Sequence, residues 1–206
     1  MSVIDSLLAF TFAATLLTLT PGLDIALILR TATVEGRKQA FQAQMGINAG
    51  CLIWGAMVAF GLGALIAVSE LAYNVLKYCG AAYLCWLGLT MLLRPRGALT
   101  GMNSVENPSR NWFIKGMLGN VLNPKIGIFY VSFLPQFIPH GQPLIAWTFG
   151  LVMIHVLIGT CWSTALISAT RPLATFLRKP RVIRWMDRCT GIVFLLFATR
   201  LAFSKR

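Results

Sequence analysis

Charged side chains are scarce in this sequence, and acidic ones are the scarcest. Asp, Glu, Lys and Arg together make up 12% of the 206 residues, whereas soluble domains average about 25%. The chain therefore lacks the polar surface that a soluble fold requires. Six acidic residues stand against 18 Lys and Arg, which gives a net charge of +12. The basic residues lie in short connections between apolar runs and form no basic face, so we predict no nucleic-acid partner.

Clusters of metal-binding or nucleophilic side chains are also missing. The sequence has two His, and its five Cys form no CxxC pair; they stand in apolar segments at Cys51, Cys79, Cys85, Cys161 and Cys189. A metal site needs grouped carboxylate, His or Cys ligands. An intramembrane hydrolase needs two carboxylates, or a nucleophile with a base. The predicted membrane region offers Asp24 and a lone His155, so we predict no metal, no cofactor and no enzymatic activity.

Long apolar runs dominate what is present. The chain is 57% hydrophobic, and runs of about 20 apolar residues are long enough to cross a bilayer as helices. The sequence predicts an all-α polytopic membrane protein with six transmembrane helices, at about Val3 to Arg30, Phe41 to Val68, Leu71 to Leu93, Trp112 to Ile138, Leu144 to Thr170 and Cys189 to Phe203. The sixth is the shortest, because fifteen residues rise only about 22 Å. It needs Arg184 and Arg200 to extend to the interface if it is to cross.

The fourth apolar run contains three residues that a plain membrane helix would avoid. Pro124 should break the helix, and Asn123 before it is a good N-cap for a second half-helix that starts at the proline. Lys125 then falls in the first turn, where the helix dipole disfavours a cation. An ammonium in mid-membrane costs about 2.5–3.5 kcal/mol on insertion scales. The pattern indicates a functional site, with Asn120 as a weaker candidate.

The first apolar run has a matching interruption at Thr20 to Asp24. The sequence predicts that Thr20 caps, and Pro21 starts, a second half-helix. Gly22 would let a backbone or ligand come close. Asp24 would lie in the first turn, where the dipole favours an anion; its role could be capping, or proton or substrate binding, since an intramembrane carboxylate is functional by default.

The two interruptions occupy corresponding places in two three-helix halves. Repeat 1 covers about residues 1–94, a polar linker about 95–110, and repeat 2 about 111–206. Three helices are an odd number, so the halves form an inverted repeat, and paired broken helices point to a transporter's binding site. We expect Asp24 and Lys125 to approach one cavity from opposite halves, to pair when it is empty and to separate during transport.

The loop charges predict the orientation. With both termini outside, the first, third and fifth connections carry thirteen Lys and Arg, against four on the opposite side. Positive charge marks the cytoplasmic side, so we expect periplasmic termini. Three of the four lie at the C-terminus, which leaves open a five-span form with that end inside.

Polar and glycine residues on the other helices predict packing contacts. Gly46 and Gly50 form a small-xxx-small pair that lets helices approach closely. Asn48 between them is a weaker candidate for facing the interior. His155 is predicted to be a hydrogen-bonded packing residue rather than a proton relay.

Four segments together resemble the LysE/RhtB family of bacterial amino-acid exporters. They are TPGLD in the first helix, GINAG in the second, LKYCGAAYLCWLGL in the third and GNVLNPKIGIFYVSFLPQF in the fourth. The resemblance covers essentially the whole chain. The family's first motif falls on Pro21, Gly22 and Asp24, and its second on Asn123, Pro124 and Lys125. This chain departs from the family where Leu23 replaces a second proline and where FATR at 197–200 replaces a glycine-containing pattern.

The resemblance implies an exporter in the bacterial cytoplasmic membrane that moves basic or neutral amino acids and related compounds with the proton gradient. The partners would be a small amino-acid substrate, protons and the lipid bilayer. Two alternatives stay open, an exporter of metal or other small cations and a membrane protein without a transport role. The sequence does not specify which amino acid is moved, nor whether the chain forms a homo-oligomer.

Overall fold

A computed structural model of the chain describes residues 2–62, 78, 81–82, 85–86, 88–95, 111–139, 141–169, 176 and 179–203. Most of the predicted third helix, the linker from residue 96 to 110 and the connection at 170–175 lie outside the described residues, as does the side chain of Arg200. The described residues contain helices and no strand. An all-α architecture is therefore confirmed for this part of the chain.

Seven α-helices have defined bounds among the described residues. Their bounds are α1 Val3–Leu19, α2 Leu23–Val34, α3 Arg37–Ala56, α4 Trp112–Val121, α5 Pro124–Ile128, α6 Leu144–Ser168 and α7 Pro180–Phe203. A π-helical segment, Met57–Leu62, continues α3, and a π-helical segment, Phe129–Phe133, followed by a 3₁₀ segment, Leu134–Phe137, continues α5.

The first helical span is broken as predicted, but its caps differ from the prediction. The axes of α1 and α2 are bent by 52°. Thr20 is the C-cap of α1, and its hydroxyl donates to the Leu16 carbonyl oxygen at 2.6 Å. Gly22 is the N-cap of α2, which begins at Leu23. The prediction that Thr20 caps and Pro21 starts the second half-helix was therefore wrong, because the Thr20 hydroxyl satisfies a carbonyl of the preceding helix instead.

The second break follows the sequence closely. Asn123 is the N-cap of α5, and its side-chain oxygen accepts a hydrogen bond from the Lys125 backbone N–H at 3.1 Å. Pro124 occupies the first turn, where its missing N–H costs nothing. The predicted break, its cap and the place of Lys125 in the first turn are all confirmed.

Two helices are long and apolar enough to cross a membrane, and a third span is added if the bent pair α1 and α2 counts as one. The two are Arg37–Gly61 and Leu144–Ser168. This count holds for the described residues only. The six spans, the inverted repeat and its boundaries stay predictions.

Two helices begin earlier than predicted. The helix α3 starts at Arg37 rather than Phe41, directly after Gly36, whose φ of 107° favours glycine. The helix α7 starts at Pro180 rather than Cys189.

The helix α7 starts early because it is amphipathic, with one buried face and one exposed basic face. Its buried residues recur at helical spacing, namely Ile183, Asp187, Thr190, Phe194 and Ala198. Its basic residues Arg181, Arg184 and Arg188 lie on the exposed face. The prediction placed these arginines in a polar connection. They belong instead to the outer side of an amphipathic helix, whose 24 residues extend about 36 Å.

Glycines bring α3 and α4 into direct backbone contact. A Cβ at Gly46 would lie 1.9 Å from the Phe113 carbonyl oxygen, and one at Gly116 would lie 2.0 Å from the Ala43 carbonyl oxygen. The packing role predicted for Gly46 is confirmed. This contact fixes α4, and with it the second break, against α3.

An aromatic cluster holds α1 against the continuation of α5. Phe10 of α1 contacts Phe129 and Phe137, with ring centroids 5.9 and 5.6 Å apart. Phe133 packs on Phe129 at 4.9 Å. All four side chains are buried, and their packing brings the two helix breaks to the same place.

Candidate functional site

A cavity lies where the two breaks meet. Seven of the nine residues singled out from the sequence line it, namely Thr20, Gly22, Asp24, Asn48, Asn120, Asn123 and Lys125. Pro21 is not among the lining residues, and Pro124 is placed by its backbone at the start of α5. The two prolines shape the breaks, and their neighbours supply the polar groups.

Asp24 is held by the second break, although it belongs to the first. Its Oδ2 accepts a hydrogen bond from Asn120 Nδ2 at 2.9 Å, and its Oδ1 accepts one from Asn123 Nδ2 at 3.4 Å. Asn120 is fully buried. Asp24 is also the second residue of α2, so its carboxylate lies at the positive end of that helix dipole.

Lys125 makes the reciprocal contact with the first break. Its Nζ donates to the carbonyl oxygens of Leu17 and Thr20 at 2.9 and 3.0 Å. The last carbonyls of a helix have no partner within the helix and carry partial negative charge. The ammonium, unfavourable at the start of its own half-helix, is thereby stabilised by the end of α1.

The charged residue of each break is therefore held by residues of the other break. Asp24 is bound by asparagines of the second break, and Lys125 by carbonyls of the first. Both side chains line the same cavity. Their pairing and separation during transport stays a prediction.

Gly22 contributes little through its lack of a side chain. Its φ of −158° is open to any residue, and a Cβ there would lie 3.7 Å from Lys125 Nζ, an ordinary contact. The group that comes close to Gly22 is thus the ammonium of Lys125, from the other break.

Asn48 belongs to a polar network that also contains Gln44, a residue that the sequence analysis did not single out. Its Oδ1 accepts from Gln44 Nε2 at 2.7 Å, and its Nδ2 donates to the Thr160 hydroxyl at 3.0 Å. Gln44 is 2% exposed and also lines the cavity. The four-residue spacing from Gln44 to Asn48 places both on one helix face, and this signal could have identified Gln44.

His155 lines the cavity as well, and its Nδ1 lies 2.9 Å from the Tyr130 hydroxyl. Both side chains are buried. The hydrogen bond agrees with the predicted packing role, since a buried polar group needs a partner. Cys51 also lines the cavity, and its Sγ lies 3.8 Å from Asn120 Oδ1. Neither Tyr130 nor Cys51 carried a sequence signal.

This arrangement suits a small zwitterion. A carboxylate can accept from an ammonium group, while the Lys125 ammonium and the backbone amides at the start of α2 can donate to a carboxylate. Among the described residues, no group of three or more His, Cys, Asp or Glu could hold a metal ion.

Similar proteins place the chain in a family. The family model described as LysE type translocator matches residues 15–205. The homoserine/homoserine lactone efflux protein of Salmonella typhimurium is 29% identical over 198 residues, which is 96% of each chain. The threonine efflux protein of Escherichia coli K12 is 29% identical over 91% of this chain and 92% of its own.

A third relative aligns over a similar length. The uncharacterized membrane protein YrhP of Bacillus subtilis is 27% identical over 97% of this chain and 99% of its own. No solved structure matches the chain. Because the family model covers almost the whole sequence, including both helix breaks, the chain belongs to the LysE-type translocator family.

Proposed function

We propose that this protein is a secondary exporter of amino acids or close derivatives in the bacterial cytoplasmic membrane, working by proton antiport. The observation that carries the proposal is the cavity at the two helix breaks, which is lined by the carboxylate of Asp24 and the ammonium of Lys125. The efflux functions in the relatives' names support the substrate class. They also support a carrier rather than an enzyme.

The bound substrate would replace the hydrogen-bond partners that hold Asp24 and Lys125 in the structure. Its α-amino group would bind Asp24, and its α-carboxylate would bind Lys125 and the backbone amides at the start of α2, whose N-cap Gly22 provides no side-chain cap. Each substrate group replaces a neutral protein partner by an opposite charge, which makes a shorter and stronger hydrogen bond. Every amino acid carries both groups, so this part of the site would set the class of substrate and not its identity.

Coupling to protons would occur at Asp24. The ionised carboxylate would bind the substrate's ammonium on the cytoplasmic side and release it outside. A proton would then neutralise the carboxylate for the return. One proton would enter for each substrate that leaves, and the termini would face the periplasm.

The test is counterflow with purified protein in liposomes, against a panel of amino acids, with and without a pH gradient. We expect saturable exchange of at least one amino acid and faster net flux with a proton gradient directed against the substrate. Asp24→Asn should abolish the response to the gradient. Asp5→Asn is the control, because Asp5 is an exposed residue of the α1 capping box, away from the cavity.

Three outcomes would count against parts of the proposal. Gradient-driven flux that survives in Asp24→Asn would remove the coupling role. Movement of metal ions or other small cations in place of amino acids would favour the alternative exporter. No solute movement by folded protein would favour a membrane protein without transport function.

A further inference from the structure

We infer that the part of the cavity formed by α3 and α6 binds the substrate's side chain and selects one that is uncharged and hydrogen-bonding, such as a hydroxyl. This inference rests on the proposed amino-acid export and deepens it. We call this part of the cavity the side-chain subsite, and it consists of Gln44, Asn48, Thr160, Trp162 and Ser163. Four of the five line the cavity, and Thr160 accepts a hydrogen bond from Asn48 without lining the cavity itself.

The amides of the subsite are held in fixed orientations. The hydrogen bonds from Gln44 to Asn48 and from Asn48 to Thr160 link α3 to α6. They use one N–H of each amide. A primary amide carries two N–H donors and a carbonyl oxygen with two lone pairs. Gln44 and Asn48 therefore retain donor and acceptor capacity for a ligand hydroxyl, which is itself both donor and acceptor.

Trp162 adds a donor that lacks an acceptor. Its indole Nε1 is buried and has no hydrogen-bond partner among the described residues, although the residue lines the cavity. A buried N–H without an acceptor is unfavourable. An oxygen on the substrate's side chain would supply the missing acceptor.

The subsite lies along α3 from the contacts beside Asp24. Asn48 lies three residues before Cys51, whose thiol contacts Asn120 beside Asp24. Three residues rise about 4.5 Å along a helix, and the seven from Gln44 to Cys51 rise about 10 Å. Asn48 and Gln44 thus lie about one and two helical turns along α3 from the residue that contacts Asn120 beside Asp24.

The subsite also disfavours the other side-chain classes. Of the described side chains that line the cavity, Asp24 and Lys125 are the two with a formal charge, and they would be engaged by the substrate's α-groups. A charged side chain at the subsite would have no counter-ion. An apolar one would leave the amides unpaired, and sites built to hydrogen-bond a hydroxyl reject analogues that lack it.

The test compares isosteric substrates in the same liposomes. Threonine is paired with valine, and homoserine with norvaline, while lysine represents the charged class. We expect kcat/KM for each hydroxyl compound to exceed that of its apolar isostere and of lysine by about tenfold or more. Asn48→Leu, which keeps side-chain size, should reduce this ratio below about threefold, mainly by loss of hydroxyl-substrate transport. Trp162→Phe, which removes the N–H, should act in the same direction.

The control is Gln142→Leu, since Gln142 is exposed and bonds Trp147 outside the cavity. It should leave the ratio unchanged. Equal transport of threonine and valine by the unmodified protein would overturn the inference while leaving amino-acid export intact. An unchanged ratio in both Asn48→Leu and Trp162→Phe would also overturn it. If no amino acid moves at all, the proposed function fails first, and the subsite falls with it.

Discussion

The Nζ of Lys125 lies 3.0 Å from the carbonyl oxygen of Thr20, the residue that ends the first half of the first span. This contact explains why a lysine is tolerated at the start of a half-helix. Its own helix dipole opposes the charge, but the end of α1 supplies unpaired carbonyls of opposite sign. Each break is thus completed by a charged residue of the other.

Lys125→Met should separate the stability of this contact from its use in transport. The substitution leaves the Leu17 and Thr20 carbonyls without the ammonium, which should cost about 1–3 kcal/mol of unfolding free energy. It also removes the cost of holding a cation in the membrane, about 2.5–3.5 kcal/mol. These opposing terms nearly cancel, so we expect the melting temperature in detergent to change by only a few degrees. Counterflow should nevertheless fall about tenfold or more, because a charge-assisted hydrogen bond to the substrate is lost.

The matched control for this prediction is Lys38→Met, because Lys38 is exposed in the first turn of α3. Its counterflow rate should equal that of the unmodified protein. A Lys125→Met variant with full counterflow would show that the ammonium stabilises the helix break and has no part in transport.

The two breaks differed in how far the sequence could predict them. The second was predictable in detail, because Asn at the N-cap and Pro at the first helical position both have strong positional preferences. The first was not, since Thr20 can bond either the following or the preceding helix. Here its hydroxyl bonds Leu16 and also pairs with Thr190 of α7. That second partner lies 170 residues away, and no local rule reveals it.

Asn123 has two roles that substitution can separate. Its side-chain oxygen caps α5 by accepting from the Lys125 N–H, while its amide nitrogen donates to Asp24. Asn123→Ser keeps an N-cap oxygen but lacks the amide donor. Asn123→Ala removes both. We expect Ala to lower the free energy of unfolding by about 1 kcal/mol and Ser to leave it nearly unchanged.

Transport should respond differently from stability in these two variants. Both lose the donor to Asp24, so both should show a similar change in the KM for substrate. Unfolding titrations in detergent and counterflow kinetics measure the two effects. If the Ser variant transported normally while the Ala variant did not, the cap alone would account for Asn123.

Gly116 and Gly119 of α4 form a natural pair for testing the close packing of α3 on α4. A Cβ at Gly116 would meet the Ala43 backbone, whereas one at Gly119 would meet nothing within 4 Å. Gly116→Ala should therefore destabilise the protein by about 1–3 kcal/mol through overpacking. Gly119→Ala should be neutral or stabilise it by about 0.5–1 kcal/mol, since alanine favours the helix. Equal melting temperatures for the two variants would contradict the observed packing.

The site was less predictable than the helix breaks. Charged and proline residues in an apolar run stand out because they are costly there. Gln44, Cys51 and Tyr130 carry no such cost signal, and their contribution depends on which helix faces meet. Similarly, the sequence of the α7 arginines suggested a loop. In the structure, the buried Ile183 and Asp187 lie on one face of a continuous helix. Packing between distant segments decides both cases.

Tyr130 and His155 should prove to be energetically coupled. Tyr130→Phe removes the hydroxyl that bonds the buried imidazole, and His155→Leu removes the imidazole that bonds the buried hydroxyl. Each single substitution should cost about 1–3 kcal/mol of unfolding free energy, because a buried polar group loses its hydrogen bond. The double substitution removes both polar groups at once. It should cost no more than the worse single variant, which gives a coupling energy of about 0.5–3 kcal/mol in unfolding titrations.

Counterflow of the double variant then decides between packing and a part in transport for His155. If Tyr130 and His155 serve only packing, both can be replaced together. The exchange rate of the double variant should then stay within about threefold of the unmodified protein, once the stability of the variant is matched by lower temperature. Additive losses in the cycle would mean that the two side chains act independently. A double variant that is stable but has lost only its response to a pH gradient would assign His155 to the proton path. In that case Asp24 would not be the sole coupling group lining the cavity.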